Sequence, residues 1–125
     1  MSVDFMTRFG EAEITRIWQG SASNPQRVQP IPERGARKVF YGIRATRKGK
    51  VYLGVFIDQE EADLCHMDID KTGKEIPHWF SYPAVNRTVG MHDLEIRTGK
   101  ELESGAIEWL HSKSFSIEVV PSSDD

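Results

Sequence analysis

Thr98-Gly99-Lys100-Glu101-Leu102-Glu103-Ser104-Gly105-Ala106-Ile107-Glu108-Trp109-Leu110 is the stretch on which the fold class turns. Its opening belongs to a turn that recurs three times. Arg47-Lys48-Gly49-Lys50, Lys71-Thr72-Gly73-Lys74 and Arg97-Thr98-Gly99-Lys100 stand 24 and 26 residues apart. Glycine-containing tips between half-apolar runs punctuate hairpins. Thr98 with Glu101 also makes a capping box, in which each side chain satisfies a free amide at a helix start. Leu102, Ala106, Ile107, Trp109 and Leu110 then fall on one helical stripe. The stretch is therefore assigned to a helix over about residues 100–112, despite Gly105. The expected fold is α+β, a twisted antiparallel β-sheet of hairpins with this one C-terminal helix packed on it.

Before this stretch, residues 39–46 and 51–57 are rich in β-branched and aromatic side chains and read as a hairpin closed at Lys48-Gly49. That register pairs Thr46 with Val51, Arg44 with Leu53 and Gly42 with Val55, with apolar side chains on both faces. A second hairpin, residues 63–70 with 75–82, turns at Thr72-Gly73. In it Ile69, Met67 and Cys65 share an apolar face, while Asp70, Asp68 and His66 share a wet one. A helical start at Gln59-Glu60-Glu61-Ala62 is an open alternative before it. Residues 11–18 alternate as a strand, and Phe115, Ile117 and Val119 mark a final one. Residues 21–36 carry Pro25, Pro30 and Pro32 without periodicity and read as a long proline-rich loop. The expected organisation is a single domain over residues 1–120, with 121–125 a disordered tail.

A chain of 125 residues suffices for one domain with a real core. No apolar run approaches the roughly 18 residues of a membrane span, and the first residues lack a basic-then-apolar leader. Cys65 is alone, so no intrachain disulfide forms. The expectation is a soluble cytoplasmic protein with no membrane partner. The net charge of −3 hides an asymmetry: six basic residues and no acid lie between Arg37 and Lys50, and six acids with no Lys or Arg lie between Asp58 and Asp70. Segregated charge favours oriented association with a partner or a second copy.

Specific chemistry is thinly signalled. Cys65 and His66 would point to opposite faces of a strand, so they cannot form a dyad with each other. His66, Asp68, Asp70 and Glu75 would share the wet face of the second hairpin and are the weak candidates for a metal site. Asp68-Ile69-Asp70-Lys71-Thr72-Gly73 resembles the opening of an EF-hand calcium loop for six residues, then departs, with Trp79 where the bidentate Glu belongs. His78, His92 and His111 lack metal-ligand spacing. No phosphate loop, nucleophile elbow or HExxH motif is present.

The reading drawn from this is a non-enzymatic macromolecule-binding protein without a cofactor, an accessory, inhibitor or immunity-type module that binds another protein. Complementary patches on one chain also permit a homodimer, as the lesser alternative. Candidate contacts are the basic group Arg34, Arg37, Lys38, Arg47, Lys48 and Lys50 and the acidic group Asp58, Glu60, Glu61 and Asp63. The alternative is a nucleic-acid binder using the basic 37–50 hairpin, with Arg44, Arg47, Lys48, Lys50, Lys71 and Lys74 on phosphates. A small metal-dependent enzyme at His66, Asp68 and Asp70 is the third reading.

Overall fold

The structure is a computed structural model and describes residues 9–85 and 87–122. Nine strands run in the order β1 Glu11–Gly20, β2 Pro25–Gln26, β3 Ile31–Pro32, β4 Ala36–Arg47, β5 Gly49–Ile57, β6 Glu60–Ile69, β7 Glu75–Pro83, β8 Gly90–Glu101 and β9 Ile107–Val120. They build two sheets, β2-β1-β4-β7 and β3-β9-β8-β5-β6. The long strands pair antiparallel, and β3 pairs parallel with β9. Consecutive strands repeatedly change sheet, and the two sheets pack face to face as a β-sandwich. No helix occurs among the described residues, and so none long and apolar enough to cross a membrane.

The period of two along each strand sets the core. Val39, Tyr41, Ile43 and Ala45 of β4 look across the sandwich at Val51, Leu53, Val55 and Ile57 of β5. Phe80 and Tyr82 of β7, Leu94 and Ile96 of β8, and Ile117 and Val119 of β9 complete one contiguous buried cluster. Each buried aliphatic side chain there contributes about 1.5–3 kcal/mol.

The expected C-terminal helix is overturned. β8 runs straight through Arg97-Thr98-Gly99-Lys100, and the chain reverses only at residues 102–106. There Gly105 has a φ of 91°, and the Leu102 amide donates to the Ala106 carbonyl at 2.7 Å. Thr98 does not cap anything. It is buried and donates its hydroxyl to the Ala12 carbonyl on the opposite sheet. Gly99 sits at a bulge where a Cβ would meet the Glu108 backbone, so β9 can lie against it only because it is glycine.

The single sheet of hairpins is overturned as well. Strands lie at 39–46, 51–57, 63–69 and 75–82 as the pattern puts them, but β4 pairs with β1 and β7, while β5 pairs with β6 and β8. Lys48-Gly49 and residues 70–74 therefore carry the chain from one sheet to the other. The apolar faces expected side by side in one sheet instead face each other, which buries both. The helical start at Gln59 is replaced by a two-residue turn between β5 and β6, with Asp58 and Gln59 at φ of 51° and 75°. Within residues 21–36, β2 folds back on β1, and β3 seats the fully buried Ile31 beside β9. Of the tail, the Ser122 hydroxyl accepts from the Arg34 amide at 3.2 Å, and 123–125 lie outside the described residues.

Candidate binding edge

The two sides of the sandwich close differently. On the β1 side, Thr98 bonds to Ala12, His111 Nε2 lies 2.8 Å from a Glu11 carboxylate oxygen, and Lys113 Nζ donates to the Thr15 carbonyl at 3.0 Å. On the other side stand the edge strands β6 and β7, with Cys65 Sγ 3.4 Å from His78 Nε2 between them.

Strand β6 pairs only with β5 among the described residues. Its register jumps from Val55↔Asp63 to Phe56↔Glu61, so Ala62 is bulged out and residues 63–69 form the regular run. Leu64, His66 and Asp68 point outward, and Asp63, Cys65, Met67 and Ile69 inward, as alternation requires. Leu64 is 41% exposed. Glu60, Glu61, Asp63, Asp68 and Asp70 have no ion-pair partner among the described residues.

Asp58 is the exception and holds the β5–β6 turn in place. Its carboxylate lies 2.5 Å from His92 Nδ1 and accepts from the Asp93 amide at 2.9 Å, while its own amide donates to the Asp93 carbonyl at 2.9 Å. His92 Nε2 lies 2.5 Å from the Thr88 carbonyl. Both ring nitrogens face acceptors, so the ring carries both protons. The Thr88 carbonyl and then the Asp58 carboxylate hold the His92 pKa above its ordinary value, against burial and the nearby Arg87. The His92 bond holds the Asp58 carboxyl below its ordinary value.

Beneath β6 lies a polar seam. Tyr41 is fully buried, its ring meets His78 edge-on at 5.5 Å, and its hydroxyl has no hydrogen-bond partner. An orphaned buried hydroxyl costs about 1–3 kcal/mol. Burial pushes the Tyr41 phenol well above its usual range, and the charges of Cys65 and Asp63 push the same way. Burial also raises the Cys65 thiol and lowers His78. Thiol and imidazole are thus both held neutral, the opposite of an activated thiolate–imidazolium pair.

The predicted contact residues divide. Asp58, Glu60, Glu61 and Asp63 come together around the β5–β6 turn. The basic group does not: Arg37 and Lys38 open β4 and Arg47 closes it, roughly 33 Å apart at strand rise. Arg34 lies in the loop after β3. Arg47, Lys48, Lys50, Lys71 and Lys74 do gather at one end of the sandwich, where β4, β6 and β8 finish. Acids are mixed among them. Lys50 is opposite Asp68 in register, and Lys100 pairs with Glu108 at 3.7 Å. Arg44 points outward from β4 and pairs with Glu13 at 3.6 Å.

The metal candidates separate too. His66 packs edge-on against Tyr52 at 5.4 Å on the outer face of β6, whereas Glu75 lies in the other sheet, bonded to Thr15 and to Arg16 at 2.9 Å. No group of three or more His, Cys, Asp or Glu side chains is arranged to hold a metal ion among the described residues. The outer face of the β7 sheet is partly covered by its own side chains, with Trp79 still 49% exposed. Trp18, Phe40 and Trp79 stand opposite one another in register, with Arg16 4.6 Å above Trp18 and Lys38 4.3 Å above Trp79. His92, His78 and the Tyr41 hydroxyl escape a sequence reading because their partners come from other strands, and no local spacing marks them.

No family model and no curated protein matches the chain. Among solved structures it is similar to the CARDB domain of the PF1109 protein from Pyrococcus furiosus, determined in complex with di-metal ions. The TM-score is 0.60 at 11% identity, over 92% of this chain and 97% of that one. At that identity the likeness is one of fold, a small β-sandwich domain.

Proposed function

We propose that this chain is a non-catalytic protein-binding module, of accessory, inhibitor or immunity type, that engages a basic region of its partner along the acidic edge formed by Asp58, Glu60, Glu61 and Asp63. The observation that carries this reading is that Glu60, Glu61 and Asp63 have no ion-pair partner among the described residues and lie on a strand edge that pairs only with β5 there. Carboxylates left without cations are the ones a basic partner can neutralise without first breaking a bond. Titration with a lysine-rich peptide tests it. Glu60→Lys, Glu61→Lys and Asp63→Lys together lower affinity at least about tenfold, while the same charge change at Glu13, Glu103 and Glu118 leaves it within about twofold. Equal losses in the two variants would overturn the reading.

A second reading, nucleic-acid binding, is supported by the gathering of Arg47, Lys48, Lys50, Lys71 and Lys74 at one end. It requires single-stranded or duplex binding that falls steeply with salt and is lost in Lys48→Glu/Lys50→Glu. The Pyrococcus domain was determined with di-metal ions, but in this chain His66, Asp68, Asp70 and Glu75 do not converge on a metal site.

A further inference from the structure

We infer, resting on that reading, that the partner's contact is an extended basic segment that adds to β6 as a further strand over residues 63–69 and sends one lysine or arginine side chain into the seam beside Asp63 and the Tyr41 hydroxyl. Backbone amides and carbonyls on the free side of this run have no strand partner among the described residues, and the run contains no proline. Such an edge is a template for main-chain pairing, with side-chain pockets at alternate positions supplying selectivity. Charge then selects the occupant. Asp68 on the outer face and Asp63 on the inner one would meet alternate side chains of the added strand, Glu61 lies just past the bulge, and β6 itself carries no Lys or Arg.

A second copy of β6 is a poor occupant. Each edge carries Asp58, Glu60, Glu61, Asp63, Asp68 and Asp70 with no Lys or Arg among them, so two copies would bring one acidic edge against another. The seam supplies an independent argument. Asp63 points inward, half-buried and without a cation, and the Tyr41 hydroxyl is fully buried without a partner. A lysine or arginine head entering between β6 and β7 would donate to both, and the neutral His78 would not repel it.

The test uses a short peptide of alternating lysine and valine and two copies of it, N-methylated on one or the other alternate set of amides. On an added strand one set faces β6 and the other faces water. One methylated peptide therefore loses more than about tenfold in affinity and the other binds like the parent. Amide exchange slows within residues 63–69 when the parent binds. Should both methylated peptides bind alike, strand addition is overturned while the acidic-edge reading stands. If parent affinity ignores reversal of Glu60, Glu61 and Asp63, that reading falls and this inference with it. For the seam, Tyr41→Phe lowers affinity for the lysine peptide about threefold relative to a norleucine-substituted copy. An unchanged ratio removes the seam contact.

Discussion

Strands β6 and β7 border the same seam and are both sheet edges, but they are finished by different chemistry. β7 carries Pro77 and Pro83, which lack the amide that a further strand would need, and its outward face is tied down by Arg16–Glu75 and by Lys38 over Trp79. β6 keeps its amides and relies on acids and the Ala62 bulge. Proline closes an edge to every partner. Charge closes it only to partners of like sign. One sandwich thus has a sealed edge and a selective one, which is the physical basis for placing the contact on β6.

The largest effects come from the glycines that support the two edges. Gly54 lies opposite Leu64 of β6, and a Cβ there would meet Trp109 Cη2 at 2.6 Å and Phe56 Cε1 at 2.8 Å. Gly42 lies opposite Pro77 of β7, beneath the Thr15–Glu75 hydrogen bond. Gly54→Ala is expected to cost about 1–3 kcal/mol, because an indole must move. Gly42→Ala costs less, because the Glu75 carboxylate can swing away and the Thr15 hydroxyl can turn to another rotamer, both lighter moves than shifting an indole. Urea midpoints rank the two, and a reversed order would mean that the β7 cover is the stiffer one.

Next comes pH, acting through the turn that begins β6. His92 has a raised folded pKa, so its contribution is complete below its unfolded value of about 6.5 and is lost as pH rises through the folded one. Asp58 has a lowered folded pKa, so its contribution is complete above about 3.9 and is lost as pH falls through the folded one. The turn is firmest between those limits. Denaturation at pH 6 and pH 9 should show wild type weaker at pH 9, with a smaller difference in His92→Gln. An equal difference in both proteins would assign the alkaline loss elsewhere.

Two smaller effects sharpen the contrast. Tyr41→Phe removes an orphaned hydroxyl under the seam and should raise stability by about 1 kcal/mol, read as a higher urea midpoint. A lower midpoint would show that the hydroxyl finds a partner in solution. Pro77→Thr returns one amide to β7. It should move stability by no more than about 0.5 kcal/mol, yet promote self-association visible by light scattering, because the one acid of β7, Glu75, is already bonded to Arg16.

Much of β6 was legible in the sequence. The placing of Ile69, Met67 and Cys65 inward and of Asp68 and His66 outward holds in the structure. The clustering of Asp58, Glu60, Glu61 and Asp63 follows from nearness along the chain. What was not legible is what lies across from them. Cys65 meets His78, thirteen positions on, and Asp58 meets His92, thirty-four positions on.

The residue pattern alone determined that the segments at 39–46, 51–57, 63–70 and 75–82 are strands, because alternation and β-branched content act within each segment. It could not determine their pairing. A glycine tip such as Lys48-Gly49 or Thr72-Gly73 serves a hairpin or a crossing between sheets equally well. The choice fell to burial: only with β4 and β5 in opposite sheets do Val39, Tyr41 and Ile43 cover Val51, Leu53 and Val55. Residues 98–110 were decided in the same way. Their helical stripe is real as a pattern, but β8 already had partners in β5 and β9, and Thr98 had an acceptor at Ala12. Non-local hydrogen bonds and shared burial outweighed a local cap worth about 1 kcal/mol.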